Sequence, residues 1–255
     1  MTITSKLQKT KRSSRSQYQK RLILITGNKG GTGKSSFARG LLDVYHHLNI
    51  ACSAYDSDTQ NPQLFRHYNK TIGISRINIA LRGGADVLLD DLEQQKPAIA
   101  LVDLPAGAGD SFERYEQDVQ LISSASELGY RLTIVSVMSR VKDSVNALRL
   151  LMEFCSDRVD YVAVKNLHFG EAEKFKRFDQ SRAKEQFLAI GGIEIVMPDL
   201  FDDTYDLIDE KDFTFREAVG ATSSLSRANR SRVHQWLKTM ELEIFKAGQY
   251  FGVSP

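Results

Sequence analysis

Apolar and polar positions fall into blocks along this chain, and the blocks alternate in kind. RLILITG (21–27) is an apolar run with β-branched residues, closed by glycine, which predicts a buried strand. From Lys34 to about His47 the spacing of Phe37, Leu41, Leu42 and Tyr45 predicts a helix. ACSAYD (51–56) is a second strand, RINIAL (76–81) a short third, and ADVLLDDLEQQ (85–95) a helix. AIALVDLPAG (98–107) is a continuous apolar run ending in aspartate, then Pro and Gly. Helix 112–128, strand 132–138, helix 142–155, strand 159–164, a helix near 181–189 and strand 193–198 follow. A last helix, about 223–246, puts Val233, Trp236, Leu237, Met240, Ile244 and Phe245 on one stripe that packs on the domain. Strands alternating with helices over short connections predict an α/β fold, a doubly wound and mostly parallel sheet with helices on both faces. No repeat or interdomain linker interrupts the pattern, so one domain is expected over 21–255.

Charge changes the picture at one end only. The 255 residues carry a formal +2, yet residues 1–21 hold seven cations and no acid, leaving about −5 for the remainder. The arm at 1–20 is too poor in apolar residues to fold alone. It reads either as a disordered, solvated tail or as an arm contacting a phosphate backbone through Lys11, Arg12 and Arg15. No apolar run approaches the roughly 18 residues that span a bilayer, and no secretory leader pattern is present, so stable membrane insertion is not expected. Cys52 and Cys155 are far apart and in apolar surroundings, as reduced core residues of a cytoplasmic protein would be.

The candidate chemistry begins at GNKGGTGKSS (27–36). A strand, a glycine-rich turn and a helix form a phosphate cradle: Gly30, Gly31 and Gly33 let backbone N–H groups converge on oxygens, and the helix beginning near Lys34 adds its positive end. Thr32 and Ser36 belong to the same loop. Lys34 would lie along the β- and γ-phosphates and the Ser35 hydroxyl would ligate Mg²⁺. The position six before Lys34 holds Asn28 instead of glycine, and a second lysine, Lys29, follows it.

Lys29-Gly30-Gly31-Thr32-Gly33-Lys34-Ser35 resembles the deviant Walker A motif of ParA/MinD-type P-loop ATPases. The resemblance implies that Lys29 is the signature lysine, reaching across a nucleotide-sandwich homodimer to the phosphates of the opposite subunit. Spreading cationic charge over a transferring phosphoryl group stabilises its transition state, so Lys29 and Lys34 would both be catalytic. Asp56-Ser57-Asp58, extended by Gln60, resembles the family's switch I. There Asp58 would orient or activate the attacking water and Asp56 would hold Mg²⁺ through water. Asp103, closing the apolar strand, resembles the Walker B aspartate at the metal's outer shell, with Pro105 to Gly107 as switch II. Asn166, after VDYVAVK, resembles the family's adenine-contacting asparagine, and Pro198 with DLFDDTYDLIDE resembles the loop around the base and its later helix. Pro-Ala-Gly is more similar to the plasmid-stability and conjugation branches than to the chromosomal ones. The resemblance covers 21 to about 220.

Other constellations carry less. His46 and His47 are adjacent on a helix and face different ways, so they make a poor metal pair. An iron–sulfur reductase of related fold would need cysteines near the switch region. Lys174-Phe175-Lys176-Arg177 and Arg227, Arg230 and Arg232 are basic clusters. In the partition branch such C-terminal cations hold DNA non-specifically, although charge on a helix is commonly just a solvated face. The reading is a Mg²⁺-dependent ATPase switch that dimerises on ATP. It would act in the cytoplasm, with possible nucleoid association, in plasmid or chromosome partition or in conjugation. Its turnover would be slow and stimulated by a DNA-bound or cargo adaptor protein. The alternatives are a nucleotide-held scaffold with little hydrolysis, or a cargo- or pole-positioning protein that binds no DNA.

Overall fold

A computed structural model describes residues 20–253. The candidate DNA residues Lys11, Arg12 and Arg15 lie outside the described residues. Seven strands form one parallel sheet: β1 (Lys20–Thr26), β2 (Cys52–Asp56), β3 (Ile74–Arg76), β4 (Ile99–Asp103), β5 (Tyr130–Met138), β6 (Asp160–Asn166) and β7 (Ile193–Met197), in the order β3-β2-β4-β1-β5-β6-β7. A parallel sheet is covered on both faces, so its strands are apolar at successive positions. In β1, Ile23 and Ile25 enter one core while Leu22 and Leu24 enter the other. The strand at 76–81 is a correction: β3 ends at Arg76, and Ile77 and Ile79 reach the second core from a loop.

The first core lies under α1 (Lys34–His47), α2 (Gln63–Tyr68), α9 (Asp202–Glu210), α10 (Phe215–Val219) and α11 (Arg227–Ala247). The second lies under α3 (Asp86–Gln94), α4 (Gly109–Val119), α5 (Leu121–Glu127), α6 (Lys142–Cys155), α7 (Lys176–Asp179) and α8 (Arg182–Ala189). The helix expected at 112–128 is two helices, because Gln120 adopts the left-handed region (φ 49°) and the Glu116 carboxylate accepts the Ile122 N–H at 2.8 Å. The last helix starts at Arg227, where the Ser226 hydroxyl caps the Asn229 N–H. Its apolar stripe packs as expected. Gly40 of α1 sits so close to α11 that a Cβ there would meet Trp236 Cη2 at 2.8 Å.

Strand register places the candidate carboxylates. Asp56 lies opposite Asp103, and Asp103 lies opposite Ile25. Side chains alternate along a strand, so Asp56 shares a face with Ala54, and Asp103 with Ile99 and Leu101, all in the core beneath α1. Both carboxylates therefore end at the carboxyl edge of the sheet beside the start of α1, where open α/β sheets bind ligands.

Candidate functional site

The phosphate loop spans the gap between β1 and α1. Gly33 is the residue before the helix and has φ 94°, with no side chain capping the first turn. A Cβ there would lie 2.5 Å from Asn166 Nδ2 and 2.7 Å from Met197 Cε, so backbone sign and packing both require glycine. The uncapped first-turn N–H groups of α1 are the kind of donors an anion satisfies. Above Gly30 and Gly31 the space is open.

Lys34 is buried, its Nζ donating to the Lys29 carbonyl at 3.4 Å. Burial lowers its pKa, and the nearby Asp103 and Asp58 oppose that shift. Lys29 behaves differently. Its side chain is 64% exposed and pairs at 2.6 Å with Asp143, in the first turn of α6. Beside it, Asn28 Oδ1 accepts from the Ser144 hydroxyl at 3.2 Å. The two residues that make this loop unusual thus both attach it to the start of α6.

Asp56 is buried and accepts two backbone N–H groups, from Asp58 at 3.0 Å and from Phe65 at 2.9 Å. Burial raises its pKa against those bonds. It therefore ties the Asp56–Asp58 segment to the start of α2. Asp58 is half-buried, and its Oδ1 accepts from the N–H groups of Gln60 and Asn61 at 3.0 and 2.9 Å. Asp103 is fully buried, and neither oxygen has a hydrogen-bond partner of good geometry. Burial pushes its pKa up to about 7; the Ser35 hydroxyl and Lys34 act against that, while Asp56 and Asp58 add to it. The Pro105–Gly107 segment is joined to the loop by the Gly107 N–H, which donates to the Gly27 carbonyl at 3.3 Å.

A buried carboxylate without a partner calls for a cation or a proton. Among the described residues no group of three or more His, Cys, Asp or Glu side chains is arranged to hold a metal ion. The donors gathered here, Ser35, Asp56 and Asp103, instead suit a hard cation that keeps several waters and phosphate oxygens of its own, as Mg²⁺ does.

A cleft of about 510 Å³ opens beside the loop, lined by Gly33, Ser36, Asn166, Pro198, Tyr205 and Trp236 among others. Asn166 lines it, and both its polar atoms are engaged within the chain. Nδ2 donates to the Thr32 carbonyl and Oδ1 accepts the His168 N–H, each at 3.0 Å. It anchors the loop in this conformation. Ser36 and Tyr205 hydroxyls meet at 2.9 Å, and Trp236 Nε1 donates to the Pro198 carbonyl at 2.7 Å. Trp236, read from sequence as packing alone, also forms a wall of this cleft.

Behind the cleft, α1, α2 and α9 share a buried polar cluster. His67 Nδ1 lies 2.9 Å from the Phe213 carbonyl and 3.3 Å from fully buried Arg39, and its Nε2 lies 3.1 Å from Arg66 and 3.3 Å from Asp209. Arg66 bridges to Asp209 and, at 3.0 Å, to Asp212. Burial and the Arg39 charge push His67 down to about 4.

Arg227, Arg230 and Arg232 occupy the first two turns of α11. Arg232 donates to Asn229 at 2.7 Å and covers the exposed Phe201 ring at 4.9 Å, near the cleft rim. Asp143 is a site neighbour that no local motif announced; Asn28 stood out in the loop, and Tyr205 lies in the segment compared with the loop around the base, but neither contact was signalled. The two cysteines are free, and burial raises both thiols. Among the described residues no helix is long and apolar enough to cross a membrane.

The parallel sheet and the glycine-rich loop between β1 and α1 give the chain a P-loop fold, the fold of MinD proteins. The chain is similar in structure to the septum site-determining protein MinD of Pyrococcus horikoshii complexed with Mg-ADP (TM-score 0.52, 14% identity, 89% of this chain and 97% of that one). It is likewise similar to the MinC:MinD cell division complex of Aquifex aeolicus (TM-score 0.50, 14% identity, 86% and 94%). In sequence it is 26% identical over 217 residues to Protein MobD of Acidithiobacillus ferrooxidans, covering 85% of this chain and 93% of that protein. No family model matches the chain.

Proposed function

We propose that this chain is an ATP-hydrolysing switch that pairs with a second copy around bound ATP. One observation carries the reading: the loop holds two lysines in opposite situations. Lys34 is buried against its own loop beside Asp103 and Asp58, whereas Lys29 projects from the surface and, among the described residues, is held by an exposed carboxylate. A lysine so placed serves an anion outside its own pocket. Exposed ion pairs are weak, so a second subunit's triphosphate can displace Asp143. Ser35, Asp56 and Asp103 would hold Mg²⁺, which when bound neutralises charge developing on the phosphates. Asp58 orients the attacking water, and Lys34 and Lys29 steady the transferred group from the two sides.

The role we assign is partition, positioning or conjugative handling of plasmid DNA in the cytoplasm, with an adaptor protein stimulating slow hydrolysis. The likeness to MobD fits the branch suggested by Pro-Ala-Gly, and MinD in its complex with MinC supports a protein partner. Sedimentation with ATP, with ADP and without nucleotide tests the reading: ATP should give a dimer in the wild type and none in Lys29→Ala. Absence of an ATP-dependent dimer in the wild type would overturn it. Because Asp58 Oδ1 is engaged by Gln60 and Asn61, a scaffold with negligible hydrolysis is the second reading. Phosphate release unaffected by Asp58→Ala, with dimerisation still responding to ATP, would establish it.

A further inference from the structure

A second cleft, of about 420 Å³, opens between the turn after β5 and the segment following β6. Arg140 comes from the first, and Lys174, Lys176 and Arg177 from the second. All four are exposed, and none makes an ion pair or side-chain hydrogen bond among the described residues. Of the nearby acids, Asp179 and Glu194 hold Lys165 at 2.8 and 2.7 Å and Lys184 at 2.6 and 2.7 Å, while Glu171 and Glu173 are exposed in the same segment, unpaired among the described residues and outside the cleft lining. The cations are displayed on a fixed frame. Phe175 and Phe178 are buried on either side of Lys176 and Arg177, and Asp179 pins the end of the segment. Gly170 lets the two sides approach, since a Cβ there would touch Lys174 Cδ at 3.1 Å and Arg140 Nη1 at 3.7 Å. Phe169 is a half-buried aromatic lining of the cleft, and Val141 is an exposed apolar rim.

The charged residues lining the cleft are all cations without ion-pair partners, and they call for a ligand carrying several negative charges along its length. A concave aromatic lining calls for a flat apolar face as well. A duplex keeps its bases stacked inside a convex rod, and an acidic peptide offers a ring only where an aromatic residue falls, whereas a single strand carries one at every charged repeat. Single-stranded nucleic acid has both features, a charged backbone and bases free to stack. We infer that this cleft binds single-stranded nucleic acid, with backbone phosphates on Arg140, Lys174, Lys176 and Arg177 and a base against Phe169. The inference does not rest on ATP hydrolysis or on dimerisation.

The test is fluorescence anisotropy of the full chain, without nucleotide, on a labelled thymidine oligomer of about 16 nucleotides and on a duplex of equal length. The single strand should bind at least about tenfold tighter than the duplex at about 0.1 M salt. Lys174→Glu with Arg177→Glu should weaken it at least tenfold and flatten the log affinity against log salt slope by about 1.4. Phe169→Ala should weaken single-strand binding about tenfold and leave duplex binding unchanged. Melting temperatures close to wild type establish that the variants are folded, and the Gln versions of the charge changes replace any that are not. The inference is overturned if the variants bind as wild type does, which would put binding on the arm. Equal or tighter duplex binding, no single-strand binding, or competition by polyglutamate as effective as by the oligomer would each overturn it too.

Discussion

His67 makes the packing of α2 against α1 and α9 acid-labile in a calculable way. Its ring is buried between Arg39 and Arg66, and its pKa falls from the ordinary 6.5 to about 4. A histidine depressed on folding contributes no penalty above pH 6.5, and stability is lost as pH falls below that value, because the unfolded chain binds the proton first. With those two pKa values the loss is about 2 kcal/mol by pH 5 and about 3 kcal/mol by pH 4. For a domain of this size, about 2 kcal/mol lowers Tm by roughly 4–8 °C. The perturbation is His67→Gln, which retains a donor for the Phe213 carbonyl but cannot titrate. Thermal melts of wild type and variant at pH 7 and pH 5 give the assay. The wild type should lose several degrees more than the variant over that interval. Asp43 and Asp103, whose burial raises them to about 6 and 7, titrate in both proteins and cancel in the comparison. Equal losses in the two proteins would refute the reasoning.

Asp143→Ala should release Lys29, leave Tm unchanged, and lower the ATP concentration at which dimers appear in sedimentation. Gly33→Ala forces a side chain onto φ 94° against Asn166 and Met197. It should cost about 1–2 kcal/mol from the backbone alone, seen in melts, and weaken nucleotide binding at least tenfold by calorimetry. Asp103→Asn should raise Tm of the metal-free protein at pH 8, since a carboxyl raised to about 7 penalises the fold fully above that pH, by up to about 4 kcal/mol. The same change should remove the Mg²⁺-dependent part of nucleotide affinity.

The sheet was legible because doubly covered parallel strands are continuous apolar runs, and strand ends locate Asp56 and Asp103 without further information. The phosphate loop was legible because its glycines and lysines are local. The edge strand was misplaced because Ile77 and Ile79 alternate like a strand while serving as loop anchors. The break at Gln120 depends on a carboxylate from the preceding turn reaching past it. Asp143 and Tyr205 are ordinary helix residues until β5 and α9 are folded beside the loop. The end of β6 locates Asn166, but not its bond to Thr32, which exists only because β6 ends at the loop. Arg140 joins a cluster more than thirty positions later solely because β5 and β6 are neighbours.

The short turn from Ser139 to Ser144 has obligations at both ends. Ser144 and Asp143 grip Asn28 and Lys29, while Arg140 and Val141 border the basic cleft. Two ligands that each favour a different placement of that turn are thermodynamically linked through it. Whatever factor a strand in the cleft imposes on nucleotide affinity, the nucleotide must return to the strand.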